Sequence, residues 1–238
     1  MNESEAQLAA WLKESNNTVV LTGAGMSTES GLPDFRSKSG WWKNIDPTTV
    51  ASVQALKDNY ALFHEFYKTR MEDLGHSQPH EGHFILAQWE KRGLVRAIAT
   101  QNVDGFHQKA GSQKVYELHG SIRSARCHNC SAPVEMDQFL GGEPCGKCGG
   151  KLRPNVVLFG EMLPEEAWDQ SISAIRMAEL VVVIGTSLQV YPVNQLPKMT
   201  KGKIAIINLE PTDQDKRFDL AIYSKAGEAL MAVEEFLR

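Results

Sequence analysis

The hydrophobic positions of the chain recur at two spacings, one typical of helices and one typical of buried strands. Leu8, Trp11 and Leu12 stand one helical turn apart, which predicts an amphipathic helix over residues 4–15. Further helices are predicted at 79–92, ending before Gly93, at 164–178 and at 226–237. Each of these helices is expected to bury one face against a common core.

Short runs of β-branched and aliphatic residues alternate with these helices. The first is Thr18–Thr22, which ends at Gly23; the others predicted are 95–100, 114–118, 155–159, 179–185, 203–209 and 220–223. The runs from residue 155 onward are rich in Val and Ile without alternation, as expected for parallel strands covered on both faces. The pattern therefore predicts the α/β class, with a doubly wound, Rossmann-like parallel sheet.

Two segments interrupt this alternation and predict a second, smaller domain. Residues 37–76 are aromatic and polar with helical spacing, and are interpreted as a helical insertion; their aromatic residues include Trp41, Trp42, Tyr60, Phe63, Phe66 and Tyr67. Residues 123–152 contain every cysteine and many Gly, Pro and polar residues. The Rossmann-like domain is accordingly expected to consist of residues 1–36, 77–122 and 153–238.

Composition and charge exclude several classes of protein. Apolar residues make up 42% of the chain, the formal net charge is −4 and the pI is about 6.0, so there is no basic excess for a nucleic acid or an anionic membrane. The first residues are acidic and polar, unlike a signal peptide. The longest apolar run, 180–185, is far shorter than the roughly 20 residues that span a bilayer. We therefore expect a soluble cytoplasmic protein without nucleic-acid or membrane partners.

The cysteines form the strongest local signal. Cys127 and Cys130 make one CxxC pair, Cys145 and Cys148 make another, and fourteen residues separate the pairs. Two such turns complete a tetrahedral site of four thiolates that leaves no position for water, which predicts one structural Zn²⁺ rather than a catalytic metal. Four reduced, unligated thiols are the alternative. The clustering also indicates a reducing compartment, because a disulfide framework would spread along so long a chain.

A glycine-rich turn follows the first strand. In Gly23-Ala24-Gly25-Met26-Ser27 the glycines allow close approach of a pyrophosphate, and a following helix would offer free N–H groups at its N-terminus. The third glycine of GxGxxG is replaced by Thr28, and no acidic residue ends a second strand about 20 residues later. This departure disfavours an ordinary dehydrogenase.

Six blocks in order along the chain resemble the motifs of the sirtuin family. Residues 23–36 read GAGMSTESGLPDFR and resemble GAGxSxxSGIPDFR, with Leu32 for the usual Ile. Residues 100–107 resemble TQNxDxLH, with Phe106 for Leu. The other blocks are HG at His119-Gly120, RPNVVLFGE at 153–161, GTS at 185–187 and NLE at 208–210. The resemblance runs from about residue 18 to the last residue.

The resemblance implies an enzyme that consumes NAD to remove acyl groups from protein lysines. The acyl oxygen attacks the anomeric carbon as nicotinamide leaves, and a base then activates the ribose hydroxyl that attacks the alkylimidate. Free lysine, nicotinamide and 2'-O-acyl-ADP-ribose result. Histidine, whose ordinary pKa is about 6.5, suits the role of a base near neutral pH. His119 matches that base, and the other six histidines, His107 among them, are interpreted as structural.

The resemblance also implies the residues that hold NAD. Asn102 and Asp104 match residues at the nicotinamide ribose and carboxamide, where Asn102 counts as catalytic because an amide donates and accepts at once. Arg36 offers a rigid fork of donors to phosphate. Glu210, at a strand end, is expected to accept from the adenosine ribose. The other predicted NAD contacts are Gly23, Ala24, Gly25, Ser27, Asp34, Phe35, Gln101, Gly185, Thr186, Ser187, Asn208 and Ala226.

Acylated-lysine proteins are the implied substrates. Val157 and Phe159 match positions that line a tunnel for the acyl-lysine, and Phe35 matches an aromatic that keeps water from the reactive centre. Gly160-Glu161 and the backbone at Val190 are expected to hold the peptide as an added strand, a mode that reads main chain rather than side chains.

The acyl group is suggested by a short pattern on a predicted helix. Tyr67 and Arg70 resemble the YxxR pattern of sirtuins that remove succinyl groups, and residues i and i+3 share a helix face. Arg70 would pair with the acyl carboxylate and Tyr67 would donate a hydrogen bond. Pro33-Asp34 matches the deacetylase form of the first motif, so both activities are predicted. The pattern is short, and an ordinary amphipathic helix face is the alternative.

Two other functions use the same NAD site. A mono-ADP-ribosyltransferase would differ only in its acceptor, and a zinc-containing NAD-binding interaction module would bind NAD without releasing nicotinamide. Product masses separate the three hypotheses.

Overall fold

A sheet of six parallel strands organises the fold. The computed structural model describes residues 3–35, 40 and 45–238. Its strands are β1 (Thr18–Thr22), β2 (Ala97–Thr100), β3 (Val115–Glu117), β4 (Gly120–Cys127), β5 (Pro133–Val134), β6 (Leu152–Val156), β7 (Leu180–Ile184), β8 (Lys203–Asn208) and β9 (Leu220–Tyr223). The parallel sheet has the order β3-β2-β1-β7-β8-β9. This is the order of dinucleotide-binding folds, whose ligands bind at the carboxyl ends of the strands where the order reverses.

Helices cover both faces of the sheet. They are α1 (Glu3–Glu14), α2 (Pro47–Val50), α3 (Val53–Asp58), α4 (Tyr60–Gly75), α5 (Glu81–Lys91), α6 (Phe106–Lys109), α7 (Met136–Leu140), α8 (Glu165–Met177) and α9 (Ala226–Leu237). Val20 and Val182 pack in one cluster with α1, α5 and α9. Val19 and Val181, one position earlier in each strand, pack in another with α8. Because successive side chains leave opposite faces and both faces are covered, β1 and β7 are buried along their whole length.

A smaller module packs beside the sheet around its own core. Strands β5, β4 and β6 form an antiparallel sheet in that order. Its apolar cluster joins Phe63 and Tyr67 of α4 to Leu152 of β6 and to the buried cysteines Cys127 and Cys145. A parallel sheet flanked by helices and accompanied by this module confirms the predicted fold class. The predicted boundaries between the two domains stay predictions.

The prediction of a strand at 155–159 is wrong about both its position and the strand with which it pairs. The structure has β6 at Leu152–Val156, paired antiparallel with β4 rather than within the parallel sheet. The Val-Val-Leu-Phe run is apolar like a buried strand, but residues 157–161 form a loop in which only Leu158 is buried. In this loop the Phe159 N–H donates to the Ala51 carbonyl at 2.9 Å. Strand β4 was not predicted, because its Arg and Ser residues conceal its apolar face.

The helix expected after the glycine-rich turn is also absent from the described residues. Two short 3₁₀ turns, Ala24–Met26 and Thr28–Ser30, follow β1 instead. Gly31, with φ of +87°, ends the second turn in the left-handed region. The other predicted helices and strands are confirmed to within three residues at their ends. Trp41 and Trp42 lie outside the described residues. Among the helices that the structure describes, none is both long and apolar enough to cross a membrane.

Candidate functional site

One cavity of about 990 Å³ lies at the carboxyl ends of the parallel strands and reaches the smaller module. Its wall includes every described residue predicted to bind NAD or substrate: Gly23, Ala24, Gly25, Ser27, Asp34, Phe35, Tyr67, Arg70, Gln101, Asn102, Asp104, His119, Val157, Phe159, Gly160, Glu161, Gly185, Thr186, Ser187, Val190, Asn208, Glu210 and Ala226. Arg36 lies outside the described residues. Residues far apart in the chain therefore converge on one space large enough for a dinucleotide-sized ligand.

The glycine-rich turn packs backbone to backbone against the loop after β7. Gly25 N–H donates to the Gly185 carbonyl at 2.8 Å, and Gly23 N–H donates to Ile184 at 3.0 Å. A Cβ on Gly25 would lie 2.8 Å from the Gly185 Cα. Gly185 has φ of +63°, and a Cβ there would lie 2.3 Å from the Met26 nitrogen. The two loops can pack this closely only because Gly25 and Gly185 have no side chain, and this requirement holds even without a bound ligand.

Three polar side chains form a hydrogen-bonded group on the cavity wall. Asn102 Nδ2 donates to Ser27 Oγ at 3.1 Å, and Ser27 Oγ donates to Asp104 Oδ2 at 2.8 Å. Asp104 Oδ1 also accepts from the Phe106 N–H at 2.9 Å, which holds the start of α6. Burial raises the pKa of Asp104 above its ordinary 3.8, and its hydrogen bonds oppose that rise only in part. The group thus offers a cavity ligand a preorganised set of donors and acceptors.

His119 is held in one tautomer by the main chain. Its Nδ1 lies 3.1 Å from the carbonyl oxygen of Gln101. A carbonyl can only accept a hydrogen bond, so Nδ1 carries the proton of the neutral ring and Nε2 keeps its lone pair. The His119 carbonyl in turn accepts from the Val157 N–H at 2.8 Å. In the neutral form of the ring, Nε2 is therefore the nitrogen that can act as a base.

Gln101 and Thr186 join the two sides of the cavity floor. Gln101 Nε2 donates to Thr186 Oγ1 at 3.0 Å, and Thr186 Oγ1 accepts from the Leu188 N–H at 3.2 Å. Thr186 is 7% exposed, so its hydroxyl is fixed by protein contacts. The carbonyl ends of β2 and β7 are thereby tied at the place where the strand order reverses.

The far end of the cavity is formed by the loop after β8 and the start of α9. Asn208 Nδ2 donates to the Glu210 carbonyl at 2.7 Å, and the Glu210 side chain is exposed. Ala226 begins α9, whose Gly227 N–H donates to Glu29 Oε2 at 2.6 Å. Glu29 was not predicted as a site residue, because 198 positions separate it from the helix N-terminus that it contacts.

The loop at 157–161 is held by an ion pair between the buried Arg153 and the partly exposed Glu161. Arg153, which is 1% exposed, donates to Glu161 Oε1 at 2.5 Å and to Oε2 at 2.9 Å. Glu161 Oε2 also accepts from the Leu158 N–H at 2.9 Å. The prediction for Glu161 concerns its backbone, and its side chain is engaged within the protein. Its carboxylate holds the loop that carries Val157 and Phe159.

Arg70 lies in an aromatic setting on the same wall. Its guanidinium stands 5.0 Å from the Phe35 ring centre, 5.6 Å from Phe66 and 5.9 Å from Tyr67. Among the residues that the structure describes, Arg70 forms no ion pair. Burial lowers the pKa of Arg70 from its ordinary 12.5, and burial raises the pKa of Tyr67 to about 12. A desolvated cation of this kind favours an anion in the cavity.

Several wall residues were missed by the sequence interpretation. They include Glu29, Ala51, Asp73, Leu74, Val103, Ile122, Leu163, Tyr191, Asp213 and Lys225. Most lie outside the six motif blocks, in the helical insertion or in loops, and only folding brings them to the cavity. Helical spacing alone would have placed Asp73 and Leu74 on the same face of α4 as Arg70.

The four cysteines fit a single metal ion. Their Sγ atoms all lie within 4.8 Å of one another, with Cys127 and Cys148 at 3.4 Å and Cys130 and Cys145 at 3.8 Å. A tetrahedral Zn²⁺ with Zn–S bonds of about 2.3 Å needs sulfurs about 3.8 Å apart. The site therefore suits one structural zinc ion that is closed to water. It belongs to the smaller module and does not contribute to the cavity wall.

Comparisons with known proteins agree with this geometry. The model of the Sir2 family matches residues 23–192. NAD-dependent protein deacetylase 1 of Geobacillus kaustophilus (strain HTA426) is 50% identical over 235 residues, covering 97% of either chain. NAD-dependent protein deacylase 2 of Pyrobaculum aerophilum is 42% identical over 237 residues, covering 97% of this chain and 95% of that relative.

Solved structures show the same fold. One described as "Structural Basis for the Mechanism and Regulation of Sir2 Enzymes" has a TM-score of 0.91 at 40% identity and covers 99% of this chain and 98% of that one. Another, "Sir2-p53 peptide-NAD+", has a TM-score of 0.89 at 35% identity and covers 96% of each chain. The match extends over the parallel sheet and the smaller module alike.

Proposed function

The chain belongs to the Sir2 family, and from this premise we propose that it is an NAD-dependent protein lysine deacylase. Relatives at 50% and 42% identity are named NAD-dependent protein deacetylase and deacylase. The substrates proposed are NAD, which is consumed, and acetylated lysine side chains of proteins. The products proposed are nicotinamide, free lysine and 2'-O-acyl-ADP-ribose.

The observation that carries this proposal is the setting of His119. Its Nδ1 is bound to a backbone carbonyl, so the ring can take a proton only at Nε2, and it shares a cavity with the other motif residues. A ribose hydroxyl must lose a proton before it can attack the acyl group, and a neutral imidazole suits that task near pH 7. We assign His119 as this general base.

The polar group beside His119 supports the binding of the nicotinamide end of NAD. Asn102 and Ser27 are buried and already oriented by Asp104, so little freedom is lost when a ligand binds them. Phe35, on the same wall, would exclude water once nicotinamide leaves. Glu210 and Ala226, at the opposite end, are assigned to the adenosine ribose and the adenine.

Product masses test the function directly. The protein is incubated with NAD and an acetyl-lysine peptide, and we expect one nicotinamide, one deacetylated peptide and one acetyl-ADP-ribose for each turnover. A peptide or protein carrying ADP-ribose would instead identify a mono-ADP-ribosyltransferase. Binding of NAD without release of nicotinamide would identify an interaction module, and either result would overturn the proposal.

We further propose that the same site removes succinyl groups. Arg70 and Tyr67 lie together on the cavity wall, and the small side chain of Ala51 lines the same space. A succinyl group ends in a carboxylate, which would supply the anion that Arg70 lacks among the described residues. The hydroxyl of Tyr67 stays protonated at neutral pH because burial raises its pKa to about 12, so it can donate a hydrogen bond.

Replacing Arg70 by Met tests this acyl selectivity. We expect kcat/KM on succinyl-lysine to fall at least tenfold, the value of about one charged hydrogen bond, while activity on acetyl-lysine changes little. Lys68→Met, which removes a cation from the same helix away from the cavity, is the matched control. Absence of succinyl turnover in the unaltered protein, or equal loss of both activities in Arg70→Met, contradicts the proposal.

A further inference from the structure

A chain of buried hydrogen bonds connects a histidine outside the cavity wall to Asn102. His107 Nε2 lies 3.0 Å from Thr22 Oγ1, and Thr22 Oγ1 lies 2.8 Å from Thr100 Oγ1. Thr100 Oγ1 accepts from the backbone N–H of Asn102 at 3.0 Å. These four residues are at most 8% exposed, and among them only Asn102 lines the cavity.

The direction of these hydrogen bonds follows from their partners. The Thr22 hydroxyl donates to Thr100 Oγ1, so the oxygen of Thr22 can accept from His107 only if Nε2 carries a proton. The other ring nitrogen, Nδ1, has no hydrogen-bond partner within the described part of the chain. If Thr22 donated to Nε2 instead, the proton of the neutral ring would lie on Nδ1, and this buried N–H would have no acceptor. A buried N–H without an acceptor costs more free energy than an unused lone pair. His107 is therefore neutral, with its proton on Nε2.

The surroundings keep the ring of His107 uncharged. Burial lowers the pKa of His107 to about 3, and the nearby imidazole of His80 lowers it further. The ring of His83 lies 5.0 Å from that of His107 and is likewise buried and neutral, with its pKa lowered to about 2. His107 thus has one fixed donor at neutral pH.

From these contacts we propose that His107 is a positioning residue for the NAD-consuming reaction. Its Nε2–H fixes the hydroxyls of Thr22 and Thr100, and Thr100 fixes the backbone of Asn102 where β2 ends at the cavity. Asn102 then presents its amide with Ser27 to the nicotinamide end of the cosubstrate. Because this step acts through Asn102, it rests on the proposed function. It gives a role to Thr22, which lies outside the six motif blocks, and to His107, which the sequence interpretation treated as structural.

Thr22→Val tests the connection with little change of shape, since valine is close to an isostere of threonine that lacks the hydroxyl. We expect kcat/KM for NAD to fall about tenfold, with part of the loss in a higher KM for NAD, while KM for the acetyl-lysine peptide stays within about twofold. Thr18→Val is the matched control, because Thr18 lies on the same strand, is equally buried and bonds Ser15 Oγ at 3.0 Å. Equal losses in the two variants, or none in Thr22→Val, overturn the proposal.

Substitution of His107 distinguishes positioning from packing. His107→Leu should show the same loss as Thr22→Val, and His107→Gln should recover most of the activity because its amide nitrogen can donate near the place of Nε2. His83→Phe, which alters the same cluster at a residue whose nitrogens have no partners within the described chain, should leave kinetics near those of the unaltered protein. Equal losses in all three variants indicate packing alone and overturn the proposal.

The tautomer of His107 is measurable without any turnover. Nitrogen-15 NMR of the unaltered protein at pH 7 should show a neutral His107 protonated at Nε2. A ring protonated at Nδ1, or at both nitrogens, overturns the proposal even if every variant fails to fold. If instead the protein has no NAD-dependent deacylase activity, the proposed function fails while the NMR result still reports on the hydrogen-bond chain, so the two failures are distinguishable.

Discussion

His119 is the residue whose chemistry is most constrained by its neighbours. Because Gln101 fixes the proton on Nδ1, a single nitrogen is left to act as a base. We expect His119→Ala to lower kcat by about 10²- to 10⁴-fold, the usual contribution of general base catalysis, while NAD still binds. Steady-state kinetics and calorimetric titration with NAD check both parts.

The control for His119→Ala is His76→Ala, which removes an exposed histidine at the end of α4. Its kinetics should match those of the unaltered protein. A His119→Ala variant that deacetylates at an undiminished rate contradicts the assignment of the base.

The buried carboxylate of Asp104 on the cavity wall lowers the stability of the folded protein when it is ionised. Its pKa in the folded protein lies above the ordinary 3.8 because burial disfavours the charged form. Ionisation therefore costs stability as the pH rises through the folded-state pKa, and the cost is absent below the unfolded-state pKa. We expect Asp104→Asn to melt at a higher temperature than the unaltered protein at pH 7, with reduced activity.

Melting curves at several pH values test whether ionised Asp104 lowers the stability of the folded protein. The advantage of Asp104→Asn should shrink as the pH falls below about 4, where the aspartate is protonated in both states. Asp137→Asn, at the first turn of α7 away from the cavity, is the control. A variant that is less stable than the unaltered protein at pH 7 contradicts the prediction.

The sequence singled out the motif residues that line the cavity, and their roles stay predictions; it did not single out their supporting partners. The six blocks identify His119, Asn102 and Ser27, because their spacing within each block is fixed. Ala51 and Asp73 reach the cavity through the packing of α2–α4, which no local spacing encodes. The partnership of Thr22 with His107 spans 85 residues and depends on strand pairing.

Among the elements of the fold, the loop at 157–161 depends on the Arg153–Glu161 ion pair. Burial opposes ionisation of Glu161, but the hydrogen bonds from Arg153 and the Leu158 N–H outweigh it, so its pKa lies below the ordinary 4.5. Glu161→Gln leaves a buried guanidinium without its carboxylate. We expect a loss of about 3 kcal/mol at pH 7, the lower end for a broken buried pair, since Glu161 is 24% exposed.

The pH dependence of this loss follows from the lowered pKa. The stability that Glu161 contributes is present above its unfolded-state pKa and disappears as the pH falls through the folded-state pKa. Denaturant titrations of Glu161→Gln and the unaltered protein should therefore converge in acid. Glu166→Gln, at an exposed position of α8, should leave the free energy of unfolding unchanged at every pH. A difference that persists unchanged at low pH contradicts this account.

The zinc module is the element whose order depends on a metal. The cysteine segment has few apolar residues beyond the cluster around Cys127 and Cys145, so metal binding supplies much of its folding energy. Removal of zinc with a chelator is expected to lower the melting temperature and to abolish activity, although no cysteine lines the cavity. Added Zn²⁺ should restore both, and full activity in protein shown by elemental analysis to lack metal would contradict the prediction.

The spacing of apolar residues predicted an element correctly where the burial of a residue depends on its neighbours in the sequence. The runs at β7 and β8 are apolar on both faces and are confirmed as parallel strands. The run at 155–159 has the same composition, but its backbone bonds to Ala51 and Val53 of the helical insertion. The 3₁₀ turns after β1 arise because Gly25 must bond the Gly185 loop. Pairing between distant segments decided each case in which the prediction was wrong.

At the scale of the whole molecule, the cavity lies where the parallel sheet, the helical insertion and the loop at 157–161 meet. The sheet contributes Asn102 and Ser187 through loops at its carboxyl edge, and the insertion contributes Tyr67 and Arg70 through α4. The cosubstrate and the acyl group would therefore be held by different parts of the fold. We therefore expect substitutions in the insertion to change the preferred acyl group while the NAD chemistry stays the same.

The most direct test of this account is a crystal structure of the protein with NAD and an acetyl-lysine peptide. The account predicts that His119 Nε2 lies within about 3 Å of a hydroxyl of the nicotinamide ribose, or is joined to it by one water molecule. It also predicts that the acetyl-lysine enters past Val157 and Phe159. A nicotinamide ribose bound out of reach of His119 would contradict the central claim.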